Sequence, residues 1–142
     1  MDLKKLTEAH IQRKKERLNL QIGFKKSIKE AAQPYILIIK SYTKSYLKIT
    51  IYPLGEKKVV KILMISEEKD EEILCNAIDI LKKYEIIHTS GLMMIKNQIY
   101  HECYINMNRE TKKYKELITS LKQMEKYLEL RIEEIELKKV NE

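Results

Sequence analysis

Between Tyr46 and Tyr52 the chain alternates Leu47, Ile49 and Ile51 with Tyr46, Lys48, Thr50 and Tyr52. Only an extended strand sends successive side chains to opposite faces, so a period of two commits this segment to a half-buried strand. Partners lie on either side of it. Residues 35–39 form a β-branched run, residues 59–65 are apolar with Lys61 as their one charge, and Pro53-Leu54-Gly55-Glu56 reads as a turn. This predicts three strands, the last two joined as a hairpin.

Elsewhere the spacing is helical. Residues 3–32 are rich in helix formers, carry two apolar stripes, and stop before Pro34, which cannot continue a helix. Ser66 is placed to cap a helix over 67–84. There Glu67, Glu68 and Asp70 suit the positive end of the dipole, Lys82 and Lys83 suit the other end, and Leu74, Ala77, Ile78 and Leu81 share a face. Residues 86–95 and 98–107 read as a second hairpin turned near Lys96-Asn97. Asn108 then offers a cap for a long closing helix. Along it Leu117, Ile118, Leu121, Met124, Leu128, Ile132 and Ile135 make a continuous stripe, with Tyr114, Leu121, Leu128 and Ile135 seven apart.

A chain of 142 residues is of ordinary single-domain size. These readings predict an α+β fold over 1–142, an antiparallel sheet of about five strands in the order α-β-β-β-α-β-β-α. It comprises a basic N-terminal helix over 1–33, an α+β core over 34–108 and an amphipathic C-terminal helix over 109–139. The alternative is a winged helix with a dimerising C-terminal helix.

Charge separates along the chain. Residues 1–66 hold 15 Lys and Arg against 5 Asp and Glu, while residues 67–142 hold 13 against 16, so the net +7 comes entirely from the N-terminal half. Such an excess attracts a nucleic acid or an acidic protein surface. Only Arg13, Arg17, Arg109 and Arg131 are arginines. Lysine offers phosphate a point charge, whereas reading guanine edges favours the arginine fork, so the expected contact is with phosphates and carries little sequence preference.

Two groups are candidate nucleic-acid contacts. Lys14, Lys15, Lys25 and Lys26 lie on the predicted first helix. Tyr46, Lys48 and Tyr52, with Lys44 and Lys61 alongside, interleave rings and cations on a strand face, an arrangement that stacks bases and neutralises phosphates. The stripe of Leu117, Leu121, Met124, Leu128, Ile132 and Ile135 is the candidate interface for a homodimer or a protein partner. A solvated lysine face and a helix packed on its own domain are the ordinary explanations of the same residues.

Catalytic and metal signals are weak. His101 and Cys103 are two apart on a predicted strand and so share a face, where His88 of the partner strand can join them as metal ligands or as a thiol–imidazole pair. No Cys-x-x-Cys or second His pair accompanies them, and Gly23, Gly55 and Gly91 stand alone rather than in a phosphate-binding loop. No cofactor, metal or enzymatic activity is expected. Two cysteines, Cys75 and Cys103, do not make a disulfide framework, and the longest uncharged run, residues 86–95, is half of what a bilayer span needs. A cytoplasmic or otherwise reducing intracellular location without a membrane is therefore expected.

The stretch from Ile73-Leu74 to Ile86-Ile87, followed by a hairpin and a long helix from Asn108, resembles winged-helix regulators. The resemblance covers about half the chain and implies a DNA-binding dimer with the exposed side of helix 67–84 against DNA. The order of elements is also similar to that of the type III secretion chaperones, which implies a non-enzymatic adaptor. The residues themselves favour nucleic-acid binding by the basic half, with adaptor docking through the C-terminal helix as the second reading.

Overall fold

The β-branched and aromatic runs do become strands, and they dominate the molecule. A computed structural model describes residues 5–14 and 33–138. Among them are seven strands and two short helices: β1 (Thr7–Arg13), β2 (Tyr35–Tyr42), β3 (Leu47–Leu54), β4 (Lys58–Glu67), α1 (Glu71–Leu81), β5 (Ile86–Ile95), β6 (Gln98–Ile105), α2 (Lys112–Lys122) and β7 (Leu128–Glu136). A single 3-10 turn, Glu68–Asp70, leads into α1. The expected α+β fold, with one five-stranded sheet and long terminal helices, is overturned. The strands form two sheets, ordered β1-β2-β3 and β5-β6-β4-β7. Two compact units result, Met1–Lys57 with Ile135–Glu142, and Lys58–Glu134.

The first unit is an antiparallel meander. Ile38 of β2 stands opposite His10 of β1 and Ile51 of β3. Ile36, Leu37, Ile38 and Ile39 are all buried, so both faces of the central strand are covered and four consecutive apolar residues are what that position requires. β3 is an edge, and Pro53 is tolerated there because no ladder bond needs its missing N–H. The strand runs on to Leu54, past the Pro53 at which a turn is expected. Near β1, the Leu137 N–H donates to the Lys57 carbonyl at 2.7 Å and the Lys138 N–H donates to the Ile11 carbonyl at 3.0 Å.

Thr7–Arg13 corrects the predicted N-terminal helix over 1–33. With Thr7, Ile11 and Gln12 buried against β2, the segment gains a hydrogen-bonded neighbour that its helix propensity does not anticipate. The remainder of that predicted helix, residues 15–32, lies outside the described residues.

The second unit runs β4-α1-β5-β6-α2-β7. Both β4 and β5 pair antiparallel with β6, which lies between them, so these two strands are parallel and α1 is their crossover. With the strand order β5-β6-β4-β7, this is the ferredoxin-like βαββαβ topology. Its core forms where the helices meet one sheet face: Leu74, Ala77 and Leu81 of α1 and Leu117 and Leu121 of α2 pack with Val60, Ile62, Met64, Ile99, Cys103 and Ile105. The opposite face is also buried at Val59, Leu63, Ile65, Tyr100 and Tyr104, so β4 is apolar almost throughout.

The helix ends differ from expectation. Ser66 is the ninth residue of β4, not a cap, and α1 starts at Glu71 with Glu71 and Glu72 in its first turn. α2 is capped by Thr111, whose hydroxyl accepts from the Tyr114 N–H at 3.2 Å, while Asn108 builds the turn before it by accepting from the Glu110 N–H at 3.0 Å. Lys96 and Asn97 close the β5–β6 hairpin, both with the positive φ that a two-residue type I′ turn demands.

The long C-terminal helix is the largest correction. α2 spans 11 residues, unwinds through bonds from the Met124 N–H to Leu121 and the Tyr127 N–H to Met124, and gives way to β7. Leu128, Leu130 and Ile132 face inward while Glu129, Arg131 and Glu133 face water. Leu128 and Ile132 share a face in a helix and in a strand alike, whereas Ile135, seven positions from Leu128, shares it only in a helix and falls on the opposite face of β7. Among the described residues no helix is long enough to make the predicted coiled coil, and Leu117, Leu121, Leu128 and Ile135 are buried in the molecule itself, with Met124 and Ile132 half-buried. The winged-helix alternative fails too, because β4 stands where an earlier helix is needed and the helix after the hairpin is short. The similarity to the secretion chaperones loses the same long C-terminal helix.

Candidate nucleic-acid interface

The turn between β2 and β3 is built by one side chain. The Thr43 hydroxyl donates to the Tyr46 carbonyl at 2.9 Å and accepts from the Tyr46 N–H at 3.0 Å and the Ser45 N–H at 3.3 Å, while the Thr43 N–H donates to the Tyr46 carbonyl at 2.9 Å. Threonine competes for backbone groups in this way at tight turns, and the result is a stiff tip. From it project Tyr42, Tyr46 and Leu47, which are 54%, 65% and 47% exposed, with Lys44 and Lys48 exposed beside them. Residues 33–55 contain no Asp or Glu. The nearest carboxylate on a paired strand is Glu8, opposite Lys40, and it is bridged by Lys5 at 2.9 Å.

The tip therefore gathers Lys44, Tyr46 and Lys48 from the sequence-predicted set. Tyr42 and Leu47, directly opposite one another, were missed because alternation assigned Leu47 to a buried face and left Tyr42 between strands. Being an edge strand, β3 is not half-buried by alternation. Its exposure falls from Leu47 and Lys48 at the tip to partly covered Ile49, Thr50, Ile51 and Tyr52. Burial raises the Tyr52 phenol above its ordinary pKa, and its partner across the ladder is the fully buried Leu37. Tyr52 belongs to the base of the hairpin.

Lys14 stands at the far end of the same sheet, where its N–H donates to the Pro34 carbonyl at 2.9 Å. Arg13 pairs with Tyr35 and Thr7 with Ser41, and six residues at about 3.4 Å each put Lys14 roughly 20 Å from the tip. Lys15, Lys25 and Lys26 lie outside the described residues.

Lys61 is not on this surface. It lies on β4, where its Nζ is 3.4 Å from a Glu102 carboxylate oxygen and 5.7 Å from the centroid of Tyr104, with only 7% of the side chain exposed. His88 meets the same Tyr104 ring edge-on at 6.0 Å. These groups satisfy each other and present no charge to a ligand.

The proposed His-Cys trio is not assembled. His101 stands opposite Met64 and Cys103 opposite Ile62, whereas His88 stands opposite Tyr104 on the other face, because β5 is bulged and loses simple alternation. Burial, with the nearby Glu102 carboxylate, pushes the Cys103 thiol up to about 12, which leaves it protonated and unreactive at neutral pH. The His101 imidazole is lowered by burial and shares a 2.9 Å hydrogen bond with the Thr89 hydroxyl. Among the described residues no group of three His, Cys, Asp or Glu side chains is placed to hold a metal ion.

An open cleft of about 390 Å³ lies between the ends of β4, β6 and β7, lined by Ser66, Glu67, Lys69, Asp70, Glu125, Lys126 and Glu129 among others. Four carboxylates against two ammonium groups make it unsuited to phosphate. No described helix is long and apolar enough to cross a membrane. No protein-family model matches the chain, and no curated protein matches its sequence.

Proposed function

We propose that this is a non-enzymatic nucleic-acid-binding protein that takes single strands on the β2–β3 hairpin. The reading rests on one observation: a stiff, acid-free tip carries the rings of Tyr42 and Tyr46 beside the ammonium groups of Lys44 and Lys48. Open aromatic rings stack on unpaired bases without regard to sequence, and lysines neutralise the intervening phosphates. A duplex hides its base faces and offers only phosphates, so single strands bind more tightly. The turn is fixed before binding, which lowers the ordering cost. Free cysteines at Cys75 and Cys103 fit a reducing, intracellular setting for this role.

Fluorescence anisotropy with labelled single- and double-stranded oligonucleotides, titrated in salt, tests the proposal. Binding should weaken linearly in log–log salt with a slope of about −0.7 per phosphate neutralised on a single strand. In the Lys44→Glu, Lys48→Glu double variant the slope should become shallower by about 1.4. Absence of binding at low salt, or binding that ignores the double reversal, overturns the reading.

A further inference from the structure

The register of the β2–β3 hairpin sorts its exposed side chains onto two faces. Directly opposed residues of an antiparallel pair share a face, and neighbours along a strand do not. Tyr42 stands opposite Leu47 and Ser41 opposite Lys48, so Tyr42 and Leu47 hold one face while Ser41 and Lys48 hold the other. The bond from the Thr43 N–H to the Tyr46 carbonyl, 2.9 Å long, continues the ladder by one more pair. Tyr46 therefore lies on the side of Lys48, and the two exposed rings point away from each other across the blade of the hairpin.

Each ring has its own cation. The half-buried Lys40 shares the face of Tyr42, exposed Lys48 shares that of Tyr46, and Lys44 stands at the apex between them. Glu8, opposite Lys40 on β1, borders the first face and is bridged by Lys5. Both faces open at the same height. Lower on β2, Ile36, Leu37, Ile38 and Ile39 are buried on both sides of the strand, whereas Tyr42, Tyr46 and Leu47 are exposed. The open part is the three pairs from Ser41 and Lys48 to Thr43 and Tyr46, a blade roughly 10 Å deep at about 3.4 Å per residue.

A continuous single strand turns its row of bases to one side, so in passing the tip it reaches one ring. The bases of a duplex point inward. Where its two strands part, their unpaired bases face each other across a gap, and a two-faced blade in that gap meets one strand on each side. Both sides then offer a ring to a base and an ammonium group to a phosphate. The bonds of the Thr43 hydroxyl to Tyr46 fix the two faces before any strand arrives.

We infer that the hairpin tip seats at a branch point where two nucleic-acid strands separate, one strand stacking on Tyr42 and the other on Tyr46. The inference rests on the hairpin reading above and narrows its ligand from any single strand to the fork between two.

Anisotropy of the full chain with three labelled oligonucleotides at one low salt concentration tests it: a duplex ending in two unpaired arms, the same duplex with one arm, and an arm alone. The two-armed fork should bind at least about tenfold more tightly than either of the others, because two stacks form in place of one. Tyr42→Ala and Tyr46→Ala, both at open positions and so expected to leave the thermal midpoint unchanged, should each bring the fork down to the level of the one-armed duplex. On the lone arm each should lose far less, since the other face still offers a ring. Equal affinity for fork and lone arm, the result expected of one strand turning round the apex, overturns the inference and leaves the hairpin reading standing. A fork preference that survives both substitutions also overturns it. Binding to none of the three removes the hairpin reading itself, and the inference with it.

Discussion

The two hairpins expose comparable apolar surface and surround it with different charge. At the β2–β3 tip Tyr42, Tyr46 and Leu47 project among lysines, while along β5 Leu92, Met93 and Met94 project from a strand with no charge at all. They are also supported differently. The first tip is held by the local bonds of Thr43, whereas β5 is laddered to β6, whose buried Glu102 pairs with Lys61 of β4 and which packs under two helices. Exposed apolar area alone thus says little about a partner. Ringed by cations it suits a polyanion that stacks, and without charge it suits another strand.

The sharpest contrast is between two lysines, one beneath each hairpin's chemistry. Lys61→Met leaves the Glu102 carboxylate buried without its cation, which should cost about 3–5 kcal/mol in denaturant unfolding. Combining it with Glu102→Gln should recover most of that loss, because a neutral amide is far less costly to bury than a bare carboxylate. Lys44→Met, at the exposed tip, should move stability by no more than about 0.5 kcal/mol while weakening oligonucleotide binding. Equal effects on stability would mean that Lys61 is in practice hydrated, and the distinction between the hairpins would lose its structural basis.

Particular residues explain how much of this was legible in the sequence. Residues 35–39, 47–52, 59–65, 86–95 and 98–105 lie in strands because their β-branched and aromatic content, and the positive φ tolerated at Lys96-Asn97, are local properties. The division into two sheets was not legible, since it depends on which strands pair, and no local pattern states that β4 takes β6 and β7 as neighbours. Leu128 and Ile132 fit two periods at once while Ile135 fits the helical one alone, and only the Glu129–Arg131 pair on one strand face, 2.9 Å apart, points to the strand. Of the candidate site, Lys44, Tyr46 and Lys48 were legible from composition. Lys61 was not, because its burial follows from a Glu102 that lies 41 positions away in sequence.

Stiffness of the first tip can be tested without touching its charge. Thr43→Val keeps the shape of the side chain and removes its three hydroxyl bonds to Ser45 and Tyr46. Each such bond contributes about 1 kcal/mol net, and a loosened turn must be reordered on binding, so affinity for a single-stranded oligonucleotide should fall about three- to tenfold. The salt slope should not change, because no phosphate contact is lost. A changed slope would show that the turn bonds serve to place Lys44 and Lys48 rather than the rings.

The smallest effect concerns pH and belongs to the β5–β6 hairpin alone. His101 is buried opposite Leu92 across the ladder, its imidazole lowered by desolvation from the ordinary 6.5, and its Nδ1 has no hydrogen-bond partner. The folded chain therefore holds this ring neutral to a lower pH than the unfolded chain does. Above about 6.5 the ring is neutral in both states and contributes no pH dependence. As pH falls below that value the unfolded state takes up a proton that the folded state refuses, so stability declines until the folded ring also titrates. Unfolding midpoints measured between pH 8 and pH 5 should fall for the native chain and fall less for His101→Gln, which cannot titrate. The β2–β3 tip contains no histidine, so oligonucleotide binding by the folded protein should stay flat over the same interval. If His101→Gln leaves the decline unchanged, the proton is taken up elsewhere and the ring is solvated enough to titrate normally in the folded state.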